Sequence, residues 1–382
     1  MSAGISLRGL STVVPSTILP QPEVRDVFAA QPGLNRLAQR IITTSFDVSG
    51  IERRYTVLEE LTFDERDGEP VFFDQVNGEL LMPGTKARNE IYAAEATKLY
   101  VEAGRAAIDA TPGVEASDIT HVVTVSCTGF YAPGPDFMLV RDLGLGPAVQ
   151  RYHLGFMGCY ASMPALRTAK QFCEADPDAV VLVVSVELCT LHLRSSNDPD
   201  TIVASSLFAD GAGAGIVTAR PPEAGERSFD LDRFETRITP VGEGDMAWKI
   251  GDHGFEMVLS NAVPSIIDDH ITGALEPLFA PEPELANALA ADAASDAVEH
   301  WAIHPGGRSI LDKVETRLAL TEEQLVPARE TLRDFGNMSS ATVLFVLRNI
   351  LHSDAAADGD RVAAMAFGPG LTVESALMTV RA

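Results

Sequence analysis

Apolar and polar positions fall in blocks along this chain. Four short runs, His121–Ser126, Ala179–Val186, Val298–Ile303 and Arg361–Phe367, show little polar alternation. Strands covered on both faces by helices read this way. Two further runs, Ala212–Val217 and Val373–Val380, are also predicted strands. Between them lie Ala- and Leu-rich stretches. These predict helices over Ala87–Ala110, Phe137–Leu143, Tyr160–Glu174, Val258–Thr272, Ser309–Leu318 and Ser339–Leu351. Strands alternating with helices predict an α/β protein.

Proline, glycine and charge gather over Pro221–Asp232 and place a boundary there, giving halves 1–228 and 229–382. Glu276–Ala297 reads as an exposed acidic loop or helix edge. Each half runs a buried strand into a loop that opens a helix, which predicts a duplicated structure without visible sequence identity. Ligand sites in α/β proteins favour such junctions.

Composition narrows the function classes. The 382 residues are 46% hydrophobic and 22% charged, enough for a large core and two or more domain-sized units. A net charge of −25 repels nucleic acid and anionic membranes, so neither is expected as a partner. The N-terminus lacks the charged and apolar regions of a secretion signal, and no stretch has about 18 apolar residues in a row. A cytoplasmic protein with reduced thiols is expected. The cysteines, Cys127, Cys159, Cys173 and Cys189, have no metal-site spacing, so no metal is expected.

Three segments carry candidate chemistry. Gly155-Phe156-Met157-Gly158-Cys159 sets a cysteine after glycines and before a helical run. Glycine permits a tight turn, and a helix N-terminus favours a thiolate. A small buried cysteine is the competing reading. Trp301-Ala302-Ile303-His304-Pro305-Gly306-Gly307 ends a strand on a histidine that can face a pocket or fill the core. Phe335-Gly336-Asn337-Met338-Ser339 puts an amide before a helix, where it can cap or bind. The three together suggest one site.

These segments resemble the catalytic motifs of type III polyketide synthases, the chalcone synthase-like family of the thiolase superfamily. The likeness extends through Pro83–Ala96, Ser126–Asp136, Arg141–Leu145, Ser205–Val217, Trp248–Met257 and Phe367–Ser375. It implies a thiolase fold, two βαβαβαββ halves in five α-β-α-β-α layers. It also implies a homodimer that needs no cofactor and joins an acyl-CoA starter to malonyl-CoA or methylmalonyl-CoA. Cys159 would accept the acyl group, paired as a thiolate with His304. His304 and Asn337 would bind the thioester carbonyl. Phe208 and Phe255 match the family's gatekeeper phenylalanines. Ser339 falls in the same motif as Asn337, and Arg53, Arg54 and Arg308 are candidates for the CoA phosphates. An acidic protein needs such a local basic patch.

Cavity positions depart from the chalcone-forming pattern. Cys127 and Thr128 stand where Thr-Ser is found, and Cys189 and His192 stand at threonine positions. Met246 replaces a glycine, and Ala132 replaces a methionine that crosses the dimer. The sequence is more similar to bacterial members that make alkylresorcinols or alkylpyrones, and Cys127 could open an acyl-chain tunnel. Rival readings are a ketoacyl synthase III-like enzyme, which condenses once from an acyl carrier protein, and a non-catalytic thiolase-fold partner. Hydroxymethylglutaryl-CoA synthase lacks its glutamate motif here, and a thiol protease lacks its signature.

Overall fold

The computed structural model describes residues 4–62 and 69–382. Nine strands form the central sheet: β1 (Ser6–Val13), β2 (His121–Ser126), β3 (Gln150–Gly155), β4 (Val180–Leu188), β5 (Asp210–Thr218), β6 (Ser228–Ile238), β7 (His300–Ile303), β8 (Arg361–Gly368) and β9 (Thr372–Arg381). Their order across the sheet is β7-β8-β9-β6-β1-β5-β4-β2-β3.

That order exposes the repeat. Numbered within the first half, the strands lie 3-2-4-5-1, and the second half repeats 2-4-5-1 around the β1–β6 junction. The first half runs βαβαβαββ. The second has one strand fewer among the described residues. Where the third would fall, a Thr321 capping box starts the helix Glu322–Phe335.

The five layers follow from which faces are apolar. Helix Thr85–Asp109 covers the outer face of the first half-sheet, and helix Val263–Phe279 covers the second. Helices Ser162–Ala175 and Thr342–Leu351 lie between the half-sheets. The second of these is buried along almost its whole length. Leu166, Leu344 and Leu347 join one core with residues of both half-sheets. Each such side chain contributes about 1.5–3 kcal/mol on burial. A second core, with Tyr92, Ala96 and Ala103, lies under the outer helix of the first half.

Two sequence expectations are corrected. Val258–Thr272 is not one helix. The chain pairs as a strand through Leu259, antiparallel to Met246–Gly251, and the helix starts at Val263 with proline in its first turn. Glu276–Ala297 is not an exposed loop. It finishes one helix and adds Pro283–Ala290 and Ala294–Ala297. Leu285 and Leu289, one turn apart, point into the core. Among the described residues, no helix is long and apolar enough to cross a membrane, and no cluster of His, Cys, Asp or Glu could hold a metal.

Candidate active site

The nucleophile loop follows from the ends of two parallel strands. β2 and β3 pair in register, and the Phe156 amide donates to the Ser126 carbonyl at 3.0 Å. The chain then reverses through Phe156 at φ +60° and Gly158 at φ +81°. A Cβ on Gly158 would lie 2.5 Å from the Pro369 ring, so only glycine fits. Cys159 therefore emerges buried against the loop after β8.

A narrow cavity of about 40 Å³ opens in front of it. It brings together Cys159, Cys127, Thr128, Cys189, His192, Phe208, Met246, Phe255 and Ser339, all expected from sequence. Sequence reading missed Leu193, Arg194, Thr201, Ala204, Ser205, Trp248 and Met257, which also line it.

His304 and Asn337 are buried beside this space rather than on its lining. Asn337 is held by its backbone, which bridges to the gate segment. Its amide donates to the Leu207 carbonyl, and its carbonyl accepts from the Ala209 amide, both at 2.9 Å. Its Oδ1 accepts from the Ser339 amide at 2.8 Å, which turns Nδ2 the other way, and that nitrogen donates to the Gly306 carbonyl at 3.2 Å. The Ser339 hydroxyl lies 3.4 Å from the Cys127 sulfur. His304 is fixed at the end of β7 by its amide, which donates to the Met365 carbonyl at 2.8 Å. Both its ring nitrogens are buried and lack a partner among the described residues.

The charge states differ from the sequence expectation of a thiolate–imidazolium pair. Burial pushes the Cys159 thiol up to about 12, against smaller lowering effects from Ser339 and Asn337. Burial alone pushes His304 down to about 3. The helix begins at Ser162, three residues past Cys159, so burial outweighs the favourable end of its dipole. Both groups rest neutral in the closed cavity.

The sign of the resulting pH effect is definite. The folded state refuses a proton at His304 that the unfolded chain accepts below about 6.5, so this site loses stability as pH falls from there toward 3. In His304→Gln the acid-side slope of unfolding free energy should flatten by up to about 1.4 kcal/mol per pH unit. Urea titrations at pH 6.5, 5.5 and 4.5 measure it, and parallel slopes in both proteins would contradict the assignment.

The far wall is aromatic. The imidazole of His192 stacks on Phe255 at 4.2 Å and meets Trp248 edge-on. Its Nδ1 accepts from the Phe255 amide at 2.9 Å, so the proton sits on Nε2, which donates to the Thr128 carbonyl at 2.8 Å. Burial first, then nearby arginines, lower its pKa to about 3. His192 is thus a neutral brace for Phe255. Behind Cys127 lies Glu187, fully buried, accepting from the Cys127 amide and the Thr128 hydroxyl at 2.9 Å each. An acid inside the apolar strand β4 was its signal in the sequence.

The three arginines do not act alike. Arg54 is completely buried. It donates to Gln21 Oε1 at 3.0 Å and to the carbonyls of Ser205 at 2.9 Å and Phe208 at 2.6 Å. It cannot meet a phosphate, and that expectation is corrected: Arg54 is a backbone clamp. Arg53 is half exposed and pairs with Asp334 at 3.0 Å. Arg308 follows the HPGG turn, is mostly exposed, and stands a loose 3.7 Å from Asp312.

The chain is similar to known proteins over nearly its whole length. Residues 3–221 match the N-terminal domain of chalcone and stilbene synthases, and residues 231–381 the C-terminal domain. A 337-residue alignment with bisdemethoxycurcumin synthase of Oryza sativa subsp. japonica is 34% identical, covering 86% of this chain and 80% of that one. PKS-I of the brown alga Ectocarpus siliculosus superposes with TM-score 0.88 at 26% identity, over 99% of each chain. The bacterial type III enzyme 1,3,6,8-tetrahydroxynaphthalene synthase of Streptomyces coelicolor A3(2) superposes with TM-score 0.84 at 26% identity, again over 99% of each.

Proposed function

The chain belongs to the chalcone and stilbene synthase family and is a type III polyketide synthase of thiolase fold, and from that premise we propose that Cys159, His304 and Asn337 extend an acyl-CoA starter with malonyl-CoA. The nucleophile comes from the half 1–228, and the histidine and asparagine from 229–382. The observation that carries the reading is the buried His304 ring with neither nitrogen partnered. Buried polar groups of this kind call for a ligand, and a thioester oxygen supplies it.

The chemistry follows from the neutral resting state. As the Cys159 sulfur attacks the starter thioester, its proton passes to His304 and then to the departing CoA sulfur. Malonyl-CoA next loses carbon dioxide, and the electron pair of the broken carbon–carbon bond becomes an enolate. The His304 N–H and the Asn337 Nδ2 stabilise the enolate oxygen. The enolate carbon attacks the acyl carbonyl on Cys159, and the thiolate leaves. The apolar wall of Phe208, Phe255, Met246 and Met257 excludes the water that would quench the enolate. Repetition and ring closure give a resorcinol, pyrone or related aromatic.

Of the two exposed candidates for the CoA phosphates, Arg308 is the more loosely paired, 3.7 Å from Asp312, whereas Arg53 is held by Asp334 at 3.0 Å. Arg308→Glu should raise KM for acyl-CoA roughly tenfold at low salt, with a smaller effect at high salt, and kcat should hold. Steady-state kinetics at two ionic strengths decide it; an unchanged KM would remove Arg308 from the site.

A homodimer suits the exposed edge strand β3, whose outer residues include Tyr152, together with exposed Phe130 and Phe137 nearby. An uncovered edge invites pairing with a second copy. The function is tested by incubating purified protein with malonyl-CoA and a panel of acyl-CoA starters. Products longer by two or more ketide units are expected, with release of carbon dioxide. A single condensation from an acyl carrier protein would favour the ketoacyl synthase reading.

A further inference from the structure

The cavity lining holds one charged side chain, Arg194. Several of its other polar groups are already engaged. The Thr128 hydroxyl donates to Glu187, the Thr201 hydroxyl donates to Asp198, and both His192 nitrogens are bonded. Among the described residues, Arg194 has no hydrogen-bond or ion-pair partner.

A second arginine stands behind it. Arg88 is completely buried and also lacks a carboxylate partner among the described residues. Its Nε donates to the Pro83 carbonyl at 2.9 Å, and Nη1 donates to the carbonyls of Leu191 and Leu193. Its Nη2 is buried with no partner. Burial, and after it the charge of Arg194, lowers its pKa to about 10. Arg194 thus brings an unpaired positive charge to the cavity lining, and the buried Arg88 guanidinium, held on the Leu191 and Leu193 carbonyls and over the Phe72 ring, adds a second positive charge behind that segment.

Resting on the type III synthase reading, we propose that Arg194, backed by Arg88, receives a carboxylate at the far end of the starter acyl group. The starter class is then a dicarboxylic acid joined to CoA through one end. The extender's carboxylate is a poor occupant. It has to leave as carbon dioxide, and a cation holding it would stabilise the ground state rather than the transition state. A long saturated tail is poor as well, since it would strip water from an unpaired guanidinium.

The test compares succinyl-CoA with butyryl-CoA, and glutaryl-CoA with pentanoyl-CoA, as starters for the purified protein with malonyl-CoA. The wild type should favour the carboxylated member of each pair in kcat/KM. Arg194→Gln should reduce that preference roughly tenfold or more, chiefly through KM, and Arg194→Lys should restore part of it. A wild-type preference for the neutral starters overturns the proposal without needing any variant, and so does an unchanged ratio in Arg194→Gln. Condensation with neutral starters alone would overturn only this proposal. No condensation with any starter would overturn the Cys159 reading and this one with it.

Discussion

Cys159→Ala is expected to abolish polyketide formation, by about 10⁴-fold or more, while leaving malonyl-CoA decarboxylation measurable. The two steps use different atoms. Extension requires a sulfur that carries the acyl chain. Loss of carbon dioxide requires only that the thioester oxygen be polarised, and His304 and Asn337 supply those donors. His304→Gln and Asn337→Ala should therefore reduce decarboxylation itself, each by roughly 10²–10³. The asparagine effect also includes displacement of Ser339, whose amide bonds to Asn337 Oδ1. Trapped carbon dioxide and the mass of the acylated protein separate the cases. Products from Cys159→Ala, or decarboxylation kept in His304→Gln and lost in Cys159→Ala, would reverse the assignment of roles.

The largest stability effect should come from Arg54→Ala. The guanidinium crosses from the N-terminal segment to the gate and holds the carbonyls of Ser205 and Phe208. Truncation leaves those two acceptors and Gln21 Oε1 buried without a donor and opens a void. Each stranded acceptor costs about 1–3 kcal/mol, so a total near 3–5 kcal/mol is expected. Arg54→Lys should recover little, because one ammonium cannot span three acceptors in the plane of the fork. The gate should loosen too, since Phe208 loses its anchor. Urea unfolding measures the first effect. A midpoint within error of wild type would show that water takes over the clamp.

Both predictions separate what the sequence holds from what it does not. Cys159, His304 and Asn337 were legible because each sits in a short motif whose glycines and flanking residues report a turn. Gly158, pressed against Pro369, is one such residue. The buried strands were legible because unbroken apolar runs have few other uses. The hairpin Met246–Gly251 with Gly254–Leu259 was not, because its second strand runs straight toward a helix start and the two periods blur.

Charge and access were decided only by the fold. Arg53 and Arg54 are neighbours in an exposed-looking GIERRY segment, yet one meets solvent and the other is sealed. Successive residues of a strand face opposite sides, and only the tertiary packing says which side is covered. The same holds for Cys159 and His304. Motif chemistry argued for an ion pair, whereas a dry cavity leaves each group neutral, because desolvation sums over everything packed around the site and no local pattern encodes that sum. The sequence by itself determined the family and the α/β layering, and it singled out the three side chains proposed to react. The three-dimensional packing decided their protonation, the burial of Arg54, and the placement of Arg194 on the cavity lining.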